Sequence, residues 1–198
     1  MIRIHTRLRT CALSAALAAL LFGCASKEER LAERLANAEA HMAEGSLEKA
    51  KAEFEEAFAI DPDSREASDG LARVGERQGR LRLAYQALEM LKDLDEEDAR
   101  TRSRLAKVFL KAGQLEQARA EAEFALARMP EDAETLLCFA DSTDGSPASA
   151  KSAIDFLKSL PLPEEFATRD AAYGIIFSKL PSYQERAERF FRKALASE

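Results

Sequence analysis

Few side chains in this sequence could act as nucleophiles or metal ligands. The chain has three cysteines, Cys11, Cys24 and Cys138, and two histidines, His5 and His41. A thiolate or an imidazole can attack a carbonyl or bind zinc, but a zinc site needs three or four such ligands. No glycine-rich phosphate loop or nucleophile elbow accompanies these residues. The sequence therefore predicts no catalytic residue, no metal site and no cofactor.

Acidic side chains are abundant, but their spacing is that of solvated surfaces. Glu53, Glu55 and Glu56 fall on an exposed helix face, and a second acidic run at 95–98 falls in a turn. Material for an active site exists only in the divergent segment 139–180, where a hydrolase remains an alternative. Its titratable side chains are Asp141, Asp144, Lys151 and Asp155.

Cys24 is the cysteine whose surroundings predict a reaction. Three arginines near the N-terminus precede an uncharged run from Cys11 to Cys24, the pattern of an export signal. The run has roughly 14 residues, whereas a membrane-spanning helix needs about 20. It ends in Leu21-Phe22-Gly23-Cys24 rather than in small residues of A-x-A type.

This ending resembles the signal of bacterial lipoproteins. In that family the cysteine thiol is alkylated by a diacylglyceryl group and the peptide bond before it is cut. The resemblance implies that residues 1–23 are removed, that Cys24 is acylated and that its acyl chains anchor the protein stably. An aspartate after the cysteine favours the inner membrane in this family, so Ala25 implies the periplasmic face of the outer membrane. Residues 24–30 then form a lipidated tether, and residues 31–198 form the folded domain.

Charge and cysteine content limit the partners and the covalent links. Without residues 1–23 the chain keeps 26 of its 29 basic residues against 35 acidic ones, a net charge near −9. This charge disfavours nucleic-acid binding. Cys138 would have no disulfide partner, and its apolar neighbours predict an inert thiol. His41 is predicted to be a half-buried packing residue.

Three glycines at one spacing indicate an internal repeat, because Gly45, Gly79 and Gly113 are each 34 residues apart. Glycine can take the left-handed conformation that ends a helix tightly. Alanine at a helix crossing allows close backbone approach, whereas a larger side chain would force the helices apart. The other columns with this spacing are Ala38, Ala72, Ala106 and Ala140; Leu47, Leu81 and Leu115; and Ala50, Ala84 and Ala118.

The 34-residue pattern resembles the tetratricopeptide repeat (TPR), in which each unit is a pair of antiparallel helices. The resemblance implies an all-α fold, a right-handed α-solenoid of about five helix pairs with the fourth degenerate. The first three pairs are predicted at 29–44 and 47–60, 65–78 and 81–94, and 98–112 and 115–129. The fourth pair is predicted from Thr135 to Asp141 and from Ser146 to about Leu160. The fifth begins with a helix at about 164–179.

The resemblance also places a partner-binding groove on the first helices of the repeats. Glu66, Asp69 and Glu76 share this face with more numerous basic residues, so we predict a net positive strip for an acidic or C-terminal segment of a protein partner. An ordinary solvated helix face is the alternative. In the first repeat, Leu35 and Met42 would suit an amphipathic partner helix or would pack against the next repeat. The basic groove residues are Arg73, Arg77, Arg100, Arg104, Lys107 and Lys111.

The function implied by the two resemblances is a non-enzymatic scaffold or assembly factor for an envelope complex at the outer membrane. TPR lipoproteins of this layout include pilotins, which help secretins of pilus or secretion systems to assemble. A short tether with four or five repeats favours that class. An adaptor for peptidoglycan enzymes, an accessory subunit of barrel assembly and a structural link to the cell wall remain alternatives.

Overall fold

The computed structural model describes residues 26–197, and all regular structure in this range is helical. A short 3-10 helix, Pro181–Tyr183, precedes the last α-helix. The predicted signal peptide and Cys24 lie outside the described residues. The α-helices are α1 Lys27–Ala43, α2 Leu47–Ile60, α3 Arg65–Gln78, α4 Leu81–Leu94, α5 Ala99–Lys111, α6 Leu115–Leu126, α7 Ala133–Asp141, α8 Pro147–Ser159, α9 Ala167–Ser178 and α10 Gln184–Ala196.

The helix bounds confirm the prediction of TPR-like helix pairs. The first six helices begin and end within three residues of the predicted positions. The largest difference is in α6, which ends at Leu126 rather than at 129. Pro130 disfavours helical backbone at Met129, so the last predicted turn does not form. The fold class is therefore all-α, consistent with a solenoid of TPR-like repeats.

Each of the first three pairs turns at a glycine in the left-handed conformation. The φ angles are 77° at Gly45, 68° at Gly79 and 74° at Gly113. At the first corner, the amide of Ser46 donates to the carbonyl of His41 at 2.9 Å. This is the six-residue closure of a Schellman motif, which satisfies a carbonyl that the ending helix leaves open. The glycine column of the sequence thus corresponds to a repeated backbone geometry.

The fourth pair differs from the first three by a deletion of two residues between the alanine column, at Ala140, and the glycine that follows it. Gly145 also has a positive φ, 80°, but it follows Gly113 by 32 residues. Helix α7 ends at Asp141, as predicted, where the hydroxyl of Ser142 donates to the carbonyl of Phe139 at 2.6 Å. Ser146 then caps α8 as predicted, accepting from the amide of Ser149.

The fifth pair begins later than predicted, because α9 starts at Ala167 rather than near 164. Pro161 and Pro163 hold the preceding backbone extended. The side chain of Arg169 donates to the carbonyls of Pro163 and Glu164, which fixes this segment outside the helix.

The chain divides into two compact units, with the boundary after Gly70. In the first unit, α1 packs against α2 around the buried side chains of Ala38 and Phe54. Met42 is buried as well, so it does not form part of an open groove. Arg34 of α1 bonds Glu53 of α2 at 3.0 Å, which links the two helices across their surface.

The second unit has a continuous apolar core made by α5 to α10. Helix α9 packs against both α7 and α8, and α10 packs against α9. Several residues of this core, among them Ala150, Phe177 and Leu180, also line one of the surfaces described below. Its largest fully buried side chains are Leu126, Leu136, Phe139, Leu157 and Ile176.

Two glycines inside helices provide a matched test of packing. A Cβ at Gly70 would overlap the ring of Phe54, which is fully buried and cannot move aside. A Cβ at Gly174 would lie 2.6 Å from the ring of Phe191, which is 37% exposed and can rotate outward. We expect Gly70→Ala to lower the free energy of unfolding by about 1–3 kcal/mol.

For Gly174→Ala we expect a change of less than about 1 kcal/mol, because the higher helix propensity of alanine offsets the cost of moving the ring. Urea unfolding followed by far-UV circular dichroism measures both values. Equal losses in the two variants would contradict this account of the packing.

Candidate binding surfaces

The first candidate surface, the basic groove, lies on α5 between α3 and α7. Arg104, Lys107 and Lys111 of α5 line a cavity of about 380 Å³ together with Glu76 and Glu134. Their spacing of three and four residues puts the three cations on one face of the helix. The structure therefore brings together three of the six predicted basic residues, with the predicted Glu76 beside them.

Two of these cations are held by carboxylates of the neighbouring helices. The guanidinium of Arg104 makes a two-pronged contact with Glu76, Nε to Oε1 and Nη2 to Oε2, each 2.9 Å long. Lys107 Nζ lies 2.7 Å from Oε2 of Glu134, whose side chain is 76% exposed. The charged lining is thus three cations and two anions, so the groove is less positive than the sequence predicted.

Glu134 is a groove residue that the sequence analysis missed. It lies 34 residues after Arg100, so it occupies the same column in the fourth repeat. Extending the column of predicted groove positions by one unit would have found it.

The other predicted groove residues do not line this cavity. Arg73 is half-buried, and Arg77 and Arg100 are exposed. Glu66 and Asp69 belong to the first of the two compact units, which ends at Gly70. A role for these residues in binding remains a prediction.

The second candidate surface, the aromatic groove, lies among α8, α9, the 3-10 helix and α10. Its cavity has a volume of about 390 Å³. Buried and half-buried side chains form the walls, and exposed charged side chains stand at the edge. The wall residues are Ile154, Tyr173, Phe177, Leu180 and Phe190, with Tyr183 at the mouth, and the edge residues are Lys151, Asp155, Lys158 and Arg186.

Ring contacts organise the aromatic groove. The rings of Phe177 and Phe190 are nearly parallel, 10° apart with centroids 5.5 Å apart, and Tyr183 stacks on Phe177 at 5.8 Å. The guanidinium of Arg186 lies 4.3 Å from the centre of the Phe177 ring. Partial burial raises the pKa of the Tyr173 hydroxyl, so this wall is neutral at physiological pH.

The cations of the two grooves differ in their pairing. In the described range 26–197, Lys151 and Lys158 form no hydrogen bond or ion pair, in contrast to Lys107. Arg186 contacts the Phe177 ring but no carboxylate in that range. Positive charge is therefore available at the aromatic groove without breaking an existing ion pair.

The residues that could serve an enzyme do not meet at one place. Asp144 lines a cavity beside α6, whereas Lys151 and Asp155 line the aromatic groove. The amide of Ser146 donates to Asp144 and lowers the pKa of that carboxyl, so Asp144 is ionised at neutral pH. Within residues 26–197 no group of three or more histidine, cysteine or acidic side chains could hold a metal ion.

Cys138 and His41 occupy packing positions. Cys138 is 5% exposed, and burial raises the pKa of its thiol to about 11, so the thiolate is scarce at neutral pH. His41 is half-buried, with Nδ1 at 3.4 Å from Glu44.

Across the part of the chain that the structure describes, no helix is long and apolar enough to cross a membrane.

No protein-family model and no curated protein matches this sequence. Solved structures match it in fold. A crystal structure of the MamA protein aligns with a TM-score of 0.71 and 18% identity, covering 86% of this chain and 93% of MamA. PilF of Pseudomonas aeruginosa gives a TM-score of 0.61 and 18% identity over 87% of this chain and 78% of PilF.

A third structure is YrrB, described as a TPR protein with an unusual peptide-binding site. It aligns with a TM-score of 0.64 and 18% identity over 81% of this chain and 82% of YrrB. At such low identity the similarity shows the fold. This chain therefore has the fold of TPR proteins.

The two ion pairs of the basic groove allow a test of its charge balance. We expect a coupling free energy of about 1 kcal/mol between Arg104 and Glu76, because the contact is two-pronged and mostly buried. For Lys107 and Glu134 we expect at most about 0.3 kcal/mol, because water screens an exposed pair. Double-mutant cycles with glutamine at each position, measured by urea unfolding, give both values. A larger coupling energy for Lys107 and Glu134 than for Arg104 and Glu76 would contradict this account of the groove.

Proposed function

We propose that this protein is a lipid-anchored, non-enzymatic scaffold that holds a protein partner of an envelope assembly at the periplasmic face of the outer membrane. The observation that carries the proposal is the pair of open grooves on a TPR fold, each large enough for several side chains of a partner. Such a fold exposes side chains from successive helices in fixed register, which suits the binding of a peptide segment.

The start of the first helix limits how far the folded domain can lie from a lipid on Cys24. Helix α1 starts at Lys27, two residues earlier than predicted, because Ser26 and Glu29 form a reciprocal capping box. Lys27 also bonds Asp61 at 3.0 Å, which ties the first turn to the end of α2. If Cys24 carries lipid, only Ala25 and Ser26 separate it from the helix, a reach below about 10 Å. The first unit would then lie at the bilayer surface.

A role in a pilus or secretion system is the form of this proposal that we favour. PilF of Pseudomonas aeruginosa has the same fold over most of this chain. Together with the lipoprotein signal and the short tether, this similarity supports a pilotin-like assembly factor. The peptide-binding site reported for YrrB supports a peptide segment as the ligand. An acidic segment would complement the charge of the basic groove, although Glu76 and Glu134 already form ion pairs with Arg104 and Lys107.

Membranes of the producing cells, solubilised in a mild detergent, test the proposal. We expect the wild-type chain in the membrane fraction and in an assembly larger than the monomer. Cys24→Ser should move the protein into the soluble fraction, because it removes the acylated thiol. Lys107→Glu with Lys111→Glu should leave the protein in the membrane but reduce its share in the assembly several-fold, because both changes reverse charges that line the basic groove.

Two substitutions elsewhere serve as controls for these variants. Cys138→Ser removes the buried thiol without touching the anchor, and Lys49→Glu reverses an exposed lysine of the first unit. Both should behave as the wild type does. A wild-type chain that elutes alone would overturn the scaffold. A Cys24→Ser variant that stays in the membrane would overturn the anchor.

A further inference from the structure

We propose that the aromatic groove binds a short acidic segment of a partner protein that carries one large apolar side chain. This inference rests on the scaffold function proposed above and names a site for it. The site belongs to α8, α9 and α10, not to the first-helix groove that the repeat pattern predicted on α5. Its ligand class follows from three properties of the groove, namely its floor, its charge and its length.

The floor of the aromatic groove suits one bulky apolar side chain. Phe177 and Leu180 are buried at its base, and Phe190 and Tyr173 form its sides. The cavity of about 390 Å³ is within the range that binds compact ligands. Because stacked rings hold the walls, binding requires little reorganisation. Tyr183, 45% exposed at the mouth, offers a further ring to an entering side chain.

Charge at the edge of the groove selects an acidic segment. Lys151, Lys158 and Arg186 stand at the edge with a single carboxylate, Asp155. Neither lysine has an ion partner in the described part of the chain. An incoming carboxylate therefore gains an ion pair without displacing another acid.

The spacing along α8 sets the pattern of the segment. Lys151 and Lys158 are seven residues apart, or about 10 Å along the helix axis. An extended chain covers that distance in about three residues. Asp155 lies between the lysines and repels a central acid, while its carboxylate can accept a backbone N–H. The expected pattern is an acidic residue, an apolar residue, a neutral residue and a second acidic residue.

Other occupants fit the charge less well. A nucleic-acid strand could meet the cations and stack on the rings, but the net charge of −6 and Asp155 oppose a polyanion. The apolar N-terminal run of this chain is preceded by three arginines, which would meet the basic edge. An acidic protein segment with one apolar side chain can contact the rings and form ion pairs with the cations at the same time.

Fluorescence anisotropy with a defined peptide tests the site on the full chain purified in detergent. The probe is the blocked, fluorescein-labelled hexapeptide GDFSDG. We expect saturable binding that weakens at least about tenfold when the phenylalanine of the peptide is replaced by alanine. A similar loss is expected at 0.5 M salt, because the ion pairs are exposed.

Charge reversal in the protein locates the binding. Lys151→Glu with Lys158→Glu should weaken binding at least about tenfold. Lys49→Glu with Lys51→Glu makes the same charge change on α2, at residues that line neither groove, and should leave the affinity within twofold. Tyr183→Ser changes an exposed ring and should weaken binding several-fold while far-UV circular dichroism stays unchanged.

Several results would overturn the inference. These are the absence of saturable binding, equal losses in the two lysine pairs, and displacement of the peptide by a single-stranded oligonucleotide or by a peptide of residues 1–25. Dimerisation that blocks the peptide would assign the groove to a second copy of the chain. A peptide failure with intact co-elution from membranes would refute this site alone, and the reverse pattern would refute the scaffold alone.

Discussion

The close approach of helices at a small residue is the contact on which the rest of the structure depends. Ala38, Ala72, Ala106 and Ala140 recur once in each of the first four units, and all are fully buried. In each of the first three repeats a glycine corner follows this alanine by seven residues and reverses the chain. The buried alanine and the glycine corner together fix the spacing of successive helices. In residues 71–197 this spacing sets the distance between the first helices that line the basic groove, α3, α5 and α7.

The regular part of the fold could be predicted because each unit repeats the same constraint at the same interval. Where the interval changes, in the fourth pair, turn and capping residues still predicted the helices within two residues of their observed bounds. Gly145 has a positive φ like Gly113, but two residues are missing before it, so it falls outside the column. Helix α7 nevertheless ends at Asp141 as predicted, because Ser142 and Thr143 in the turn that follows it donate to its last carbonyls.

The binding surfaces were less predictable than the helices. The sequence placed Arg104 and Lys107 on one face, but a list of charges cannot show which cations will be paired across helices. Glu76 and Glu134 decide this, and their distances depend on the packing of α3, α5 and α7. The aromatic groove was missed because Tyr173, Phe177 and Phe190 have the spacing of ordinary core residues. Only the arrangement of α8, α9 and α10 leaves their rings open on one side.

Substitution at a crossing residue tests most directly whether small side chains hold the helices together. Ala106→Leu places a larger side chain in a fully buried contact of α5, and Ala120→Leu places it on the exposed face of α6. We expect Ala106→Leu to lower the free energy of unfolding by about 1–3 kcal/mol and Ala120→Leu to change it by less than about 0.5 kcal/mol, as measured by urea unfolding. Equal stability of the two variants would contradict the dependence of the fold on these crossings.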